Sequence, residues 1–278
     1  MHKIARILID QAHNQAWAVK PEIATQMNPG NPSDASYAKM AQAAKDSDFE
    51  VALHEGGLFT AAALADADIL VIPHASTDDW EKTIGVGSPQ LSAQELDQVE
   101  AFVRSGGSLL LLAETEQPKY GNNFAQLAAR FGVEIKNATV QDPSRSYKKV
   151  PTWIIGDFDR LTKSDFAFMV EEVCLYRAGV LDVASGIDAE VFMRTSEHAS
   201  PASSPLGIAV QHGLGRVVVL ADSDLFGDDS IDDCNNKQLW LNVAGWLANA
   251  KAASSAGTNS QANQMLADSN WQNLAAAI

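Results

Sequence analysis

Short apolar runs alternate along the chain with stretches of helical spacing, the mark of βαβ units that build a parallel sheet. Ile4 to Ile9 is the first run, followed by a loop rich in Asn, Pro and Gly from Gln11 to about Pro32. Ser33 or Asp34 is placed to cap a helix that continues through Lys45. Phe49 to Leu53 reads as a second strand, Thr60 to Ala65 as a short helix, and Ile69 to Ile72 as a third strand closed by Pro73. Ser92-Ala93-Gln94-Glu95 is a capping box that opens a helix carrying Leu96, Val99, Phe102 and Val103 at helical spacing. That helix stops at Gly106-Gly107, where a left-handed residue is cheap. Leu109 to Leu112 is wholly apolar, as expected of a strand covered by helices on both faces. A further helix, Asn123 to Phe131, leads into Val133-Glu134-Ile135.

From about Val140 the texture changes. Polar loops alternate with strand-like pieces, Val173–Tyr176, Val180–Val183 and Glu190–Met193, which read as an excursion toward the sheet edge. Gly207 to Gln211, turned by His212-Gly213-Leu214-Gly215, pairs with Arg216 to Leu220 as a hairpin. A last helix, Lys237 to Ala250, places Leu239, Trp240, Val243, Trp246 and Leu247 on one apolar face. Lys251 to about Asn263 reads as a flexible linker, followed by a weakly amphipathic tail with Met265, Leu266, Trp271, Leu274 and Ile278. The expected architecture is a three-layer α/β domain of flavodoxin-like or Rossmann-like type over residues 1–250, its sheet mostly parallel with a β-rich edge. Residues 251–278 are expected to be a flexible linker and a short amphipathic, helical tail.

A formal net charge of -15 argues against a nucleic-acid backbone or an anionic membrane surface as partner, since both would repel the chain. No stretch approaches the about 20 apolar residues of a membrane span. The amino-terminal residues run directly into a strand-like segment rather than a secretory leader, so a cytoplasmic location is expected. Cys174 and Cys234 have neither metal-site nor disulfide-framework spacing.

The segment Gly213-Leu214-Gly215-Arg216-Val217-Val218-Val219-Leu220-Ala221-Asp222-Ser223-Asp224-Leu225-Phe226, with Asn236-Lys237-Gln238-Leu239-Trp240-Leu241-Asn242, resembles one branch of the class I glutamine amidotransferase-like superfamily. That branch includes auxiliary domains of gliding-motility and ABC-type transport proteins and an intraflagellar transport subunit. Ile7-Leu8-Ile9-Asp10-Gln11-Ala12-His13 is similar to its first strand and Asp-x-x-His turn, and Gly106-Gly107-Ser108 through Leu112 to its central helix-to-strand step. In catalytic members of the superfamily a nucleophilic cysteine follows that central strand on a sharp turn. Here Ala113-Glu114-Thr115-Glu116 stands there, with no thiol and no Gly-x-Cys-x-Gly elbow. Cys234 lies beside Asp232 and Asp233, a field opposed to a thiolate. The resemblance therefore implies a binding or assembly domain, or an enzyme with a changed reaction, rather than a glutamine amidotransferase.

In an open parallel sheet, ligands bind beyond the carboxyl ends of the strands. The residues following the expected strands are Asp10, His13, Asn14 and Gln15, then His54 and Glu55, then His74, Ser76 and Asp78, then Glu114 and Glu116, and finally Asp222, Asp224 and Asp228. Histidines and carboxylates gathered at one edge suit acid–base work or metal ligation. The candidate catalytic set is Asp10, His13, His74 and Glu114, with His13 or His74 as base, Glu114 as acid and Asp10 as orienter. Asn14, Gln15, Trp17, Ser76, Asp222 and Asp224 are candidate ligand contacts. Trp17, Trp80, Trp153 and Tyr120 are aromatics that could stack on a sugar-like ligand or simply cover core edges. The acidic run from Asp222 to Asp233 matches an EF-hand loop poorly, since Phe226 stands at a ligand position and a strand precedes it. No Gly-x-Ser-x-Gly and no phosphate-binding glycine pattern follows a strand. No cofactor is specified; a divalent metal is compatible with the residues. Three function classes stay open: a binder of a small polar molecule or a protein, a hydrolase or lyase acting on a small polar or carbohydrate-derived substrate, and a structural subunit that forms a homo-oligomer through the Trp271 tail.

Overall fold

A computed structural model of the protein describes residues 3–158 and 164–249. In chain order the regular elements are β1 (Arg6–Asp10), α1 (Pro21–Met27), α2 (Ala38–Asp46), β2 (Glu50–His54), α3 (Ala61–Leu64), β3 (Ile69–Ile72), α4 (Ala93–Arg104), β4 (Ser108–Leu112), α5 (Phe124–Ala129) and β5 (Val133–Lys136). They continue as β6 (Trp153–Ile155), β7 (Asp157–Phe158), β8 (Cys174–Tyr176), β9 (Val180–Val183), β10 (Ala189–Arg194), β11 (Pro205–His212), β12 (Gly215–Leu220) and α6 (Asn236–Ala248). The tail expected over 251–278 lies outside the described residues.

The main sheet has the order β2-β1-β3-β4-β12-β11-β10-β7. Strands β2, β1, β3, β4 and β12 are mutually parallel, and β11, β10 and β7 continue the sheet antiparallel. Val, Ile and Leu fill β3 and β4 apart from Ser108, and every residue of both is buried, which requires cover on both faces. Helices α2 and α6 pack together on one face, while α3 and α4 lie together on the other; α4 and α6 both touch β4 and β12. The result is the three-layer, mostly parallel α/β architecture that the hydrophobic pattern predicts.

Local chemistry sets the ends of the elements. Ser92 Oγ accepts from the Glu95 amide, and Glu95 Oε2 accepts from the Ser92 amide at 2.9 Å, so the capping box forms as read. Thr60 likewise caps α3. The hairpin of β11 and β12 turns through Gly213-Leu214, with Gly213 at φ +63°.

Three expectations need correction. The loop expected from Gln11 to Pro32 contains α1, which opens on Pro21; proline's fixed φ suits a first helical turn, where its missing N–H costs nothing. The helix expected from Ser33 or Asp34 begins at Ala38, because Pro32–Ala35 winds into a separate 3₁₀ turn. Its first turn is capped from far along the chain, the Lys39 amide donating to Asp228 Oδ1 at 2.7 Å. Finally, the excursion after Val140 joins the main sheet only through β7 and β10. Strands β5 with β9, and β6 with β8, form two separate antiparallel ribbons.

Candidate functional site

Strand order reverses between β1 and β3: the chain leaves β1 for β2 on one side and returns to β3 on the other. Ligands favour the crevice beyond the carboxyl ends of strands at such a switch point. Asp10 ends β1, His74 follows β3, Glu114 follows β4, and Asp222 and Asp224 follow β12. The polar side chains at this edge fall into two networks of different character.

The first is centred on His13, buried in the turn after β1. Its Nδ1 donates to Asp10 Oδ2 at 2.8 Å, and its Nε2 donates to Glu95 Oε1 at 2.7 Å. Ionised carboxylates only accept, so a ring that donates from both nitrogens is an imidazolium. Burial lowers the His13 pKa, but Asp10 and Glu95 outweigh it and hold the ring above its ordinary value of 6.5. Glu95 is held below the usual carboxylate range: its own burial works against this, and hydrogen bonds from Ser92, Phe59 and His13 outweigh it. Gln15 Nε2 donates to Asp10 Oδ2 at 2.5 Å, and its Oε1 accepts from the His13 amide at 3.0 Å. Phe59 covers the ring with centroids 4.6 Å apart. Gly87 closes the turn: its φ is +72°, and a Cβ there would stand 2.0 Å from the Ala12 carbonyl oxygen. Neither nitrogen of His13 is left to take a substrate proton, so this geometry does not fit the role of base, nor Asp10 that of orienter for catalysis.

Other expected ligand contacts are also turned inward. Trp17 is 4% exposed, stacks on Tyr37 at 4.7 Å between centroids, and donates from Nε1 to Ser223 Oγ at 2.9 Å. It is a core residue rather than a platform for a sugar. Asn14, at φ +54°, donates to the Ser76 carbonyl at 2.8 Å, and Ser76 Oγ donates to the Thr77 carbonyl. The Asn14 bond ties the β1 and β3 loops together.

The second network gathers Glu114, Asp222, Asp224, Glu81, His74 and Tyr120. Carboxylate oxygens of Glu114, Asp222 and Asp224 all lie within 4.8 Å of one another. Glu114 Oε1 accepts from the Ser223 hydroxyl at 2.6 Å and the Ser223 amide at 3.0 Å. Asp222 Oδ2 accepts from the Tyr176 amide at 2.6 Å, and its Oδ1 from the Asp224 amide at 2.8 Å. Gly179 admits the close approach of the β8–β9 turn, since a Cβ there would stand 2.9 Å from the Glu114 carbonyl oxygen. Burial pushes all three carboxyls well above the usual carboxylate range, and mutual repulsion adds to it. Tyr120 is raised by burial and by Glu114 and Glu81.

His74 is 1% exposed, and neither ring nitrogen makes a hydrogen bond. Its Nε2 lies 3.3 Å from Glu81 Oε2, an ion-pair contact without hydrogen-bond alignment. Tyr120 meets the ring edge-on at 4.4 Å between centroids. Burial pushes Glu81 up, yet His74 and Tyr120 hold its carboxyl below its ordinary value. Trp80 is 59% exposed, and Lys119 Nζ lies 5.4 Å from its ring centroid and 4.9 Å from that of Tyr120. Of the four expected catalytic residues, Asp10 and His13 thus close on Glu95, while Glu114 joins Asp222 and Asp224 and His74 meets Glu81. Glu95 and Glu81 escaped sequence reading: the first was accounted for by its capping box, and the second sits in a loop without periodicity.

The rest of the acidic run has structural partners. Asp228 accepts from Ser36 Oγ and the Lys39 amide, Asp232 from Lys39 Nζ, and Asp233 from the Tyr147 and Tyr176 hydroxyls. Such divergent partners are not those of an EF-hand loop. Burial pushes the Cys174 and Cys234 thiols up, so neither is primed as a nucleophile. No helix among the described residues is long and apolar enough to cross a membrane.

No family model matches the sequence, and no curated protein matches it. Solved structures do resemble the fold. The N-terminal domain of mmIFT52 superposes with a TM-score of 0.67 at 16% identity, covering 87% of this chain and 97% of that one. Cytoplasmic protein STM3548 from Salmonella typhimurium gives 0.54 at 11% identity, with 87% and 98% covered. A putative ThuA-like protein from Bacteroides uniformis gives 0.52 at 11% identity, with 88% and 91% covered. At such identities the likeness concerns backbone architecture alone: the chain shares their mixed α/β fold.

Proposed function

We propose that this domain binds a small polar ligand in the acidic cleft beyond β3, β4 and β12 and does not hydrolyse glutamine. The observation that carries the reading is His74, a buried imidazole with no hydrogen bond, facing Glu81 beside three converging carboxylates. A buried polar group that makes no hydrogen bond costs roughly 1–3 kcal/mol, offset here in part by the ionic contact with Glu81, so a fold that keeps one at a strand end has a use for it. Absence of a thiol after β4 supports the second half of the reading, because Glu114 stands where a nucleophile would be needed. An enzyme reading, as hydrolase or lyase, would now rest on His74 and Glu114 alone. An assembly reading draws on the likeness to an intraflagellar transport domain and on Phe168 and Met169, adjacent residues 41% and 52% exposed.

The test is a thermal-shift screen of small polar metabolites on wild type and His74→Gln. Compounds that stabilise wild type and not the variant support the cleft. A panel that moves neither protein, with a concentration-dependent oligomeric mass, would favour assembly instead.

A further inference from the structure

Three carboxylates converge beyond β4 and β12 with no cationic side chain among the described residues to balance them. None of Glu114, Asp222 and Asp224 forms an ion pair among the described residues, whereas the carboxylates around them do: Glu81 with His74, and Glu116 with Lys119 and Arg177. Burying like charges together is costly unless something positive joins them. One oxygen from each of the three lies within 4.8 Å of the others. Oxygens bound to a common ion at about 2.0–2.6 Å stand at most about 4–5 Å apart, so the spacing fits one shared cation.

The three side chains are also held as ligands are. Glu114 is oriented by Ser223 and Asp222 by the Tyr176 and Asp224 amides, and each bonded oxygen keeps a further lone pair. Asp224 differs: its carboxylate accepts no hydrogen bond among the described residues, and it is partly exposed. It is the open ligand and the way in. His74 is the independent sign that the cleft takes a guest. Buried after β3, it makes no hydrogen bond with either nitrogen, and only its Nε2 has an ionic contact, 3.3 Å from Glu81 Oε2.

We propose that Glu114, Asp222 and Asp224 hold a divalent cation of the oxygen-preferring class, Mg²⁺, Ca²⁺ or Mn²⁺, in this cleft. The inference rests on the ligand-binding reading above and deepens it. An ion held by three carboxylates keeps further coordination positions, which water or an oxygen of the polar ligand would fill. Oxygen donors from acids alone favour these ions over zinc or copper, which prefer imidazole and thiolate.

The experiment uses the full chain, stripped with a chelator and dialysed, and titrated with Mn²⁺ while free Mn²⁺ is followed by electron paramagnetic resonance and stability by thermal shift. The expected result is a single saturable Mn²⁺ per chain, displaced by Mg²⁺ or Ca²⁺, with a rise in melting temperature. Asp224→Asn should weaken binding by at least about tenfold. Asp232→Asn, in the neighbouring acidic run but paired with Lys39 and Lys237, should leave it unchanged. If Asp224→Asn does not fold, Glu114→Gln takes its place. Absence of saturable Mn²⁺ binding up to about 1 mM overturns the proposal, as does equal binding by wild type and a folded variant. The metabolite screen repeated in chelator separates the two claims. Compounds that still stabilise wild type and not His74→Gln leave the cleft standing without its ion; no response in either measurement removes both.

Discussion

The His13 turn and the acidic cleft draw on the same strand ends and the same residue types, yet they are built in opposite ways. Around His13, one imidazolium meets two carboxylates, and every polar atom at the centre has a partner inside the fold. Around Glu114, three carboxylates meet without a cationic side chain among the described residues, and the His74 imidazole makes no hydrogen bond. The difference teaches how to tell structural chemistry from functional chemistry at a sheet edge. A closed network serves the fold, because nothing in it is available to a guest. An open one costs stability at rest, which is how groups poised for a ligand behave.

The sharpest way to break the comparison is His13→Ala. Removing the imidazolium leaves Asp10 and Glu95 buried and unpaired, a change worth roughly 3–5 kcal/mol. Chemical denaturation of the variant should show that loss, and Asp10→Asn should cost less because its single amide oxygen still accepts from one of the two donors, Gln15 or the Ala12 amide, that Asp10 meets with its two oxygens. A His13→Ala protein as stable as wild type would show that the turn is not a structural network at all. Gly87→Ala comes next. It places a Cβ against the Ala12 carbonyl in a left-handed backbone and should cost about 2–3 kcal/mol, read by the same denaturation curves.

Asp224→Asn should act in the opposite sense on the second region. In chelator it removes one of three repelling charges and breaks no hydrogen bond, so stability should rise by about 1 kcal/mol. With saturating Mn²⁺ the order should reverse, because only wild type gains from the ion. A variant less stable than wild type in both conditions would place Asp224 among the structural carboxylates with Asp228 and Asp232.

Much of the scaffold was legible because it depends on local signals. The apolar runs of β1, β3, β4 and β12, the Ser92–Glu95 capping box and the glycine turn at Gly213 each act within a few residues. The site was legible only in part. Strand-end logic placed His74, Glu114, Asp222 and Asp224 at one edge; the structure brings oxygens of the three carboxylates within 4.8 Å of one another and sets His74 against Glu81. That logic could not see that Glu95, 82 residues away, would take the second nitrogen of His13. Nor could it see that Asp228 would cap α2 across 189 residues, or that a loop glutamate, Glu81, would face His74. Those pairings are fixed by how the layers pack, and no spacing in the chain encodes them. Pro21 was a local signal of α1, masked by the surrounding Asn, Gly and Pro.

The smallest expected effect is the pH dependence of the His13 network, small because burial opposes the two carboxylates and the net shift is what survives. The sign follows from linkage. His13 is raised in the folded state above its ordinary 6.5, so its stabilisation is fully present below that pH and is lost as pH rises through the folded value. Glu95 is lowered, so its contribution holds above the usual carboxylate range and fades only in stronger acid. The raised carboxyls of the cleft work in the same direction as His13, since their cost grows as pH climbs above about 4. A stability curve alone therefore cannot apportion the effect, and the ring must be watched directly. Nitrogen-detected NMR of the imidazoles should show His13 protonated on both nitrogens through pH 6.5 and losing a proton only above it, with Glu95→Gln bringing the midpoint down. A midpoint at or below 6.5 in wild type would mean that burial wins, that His13 is neutral between its carboxylates, and that the contrast between a balanced turn and an unbalanced cleft does not hold.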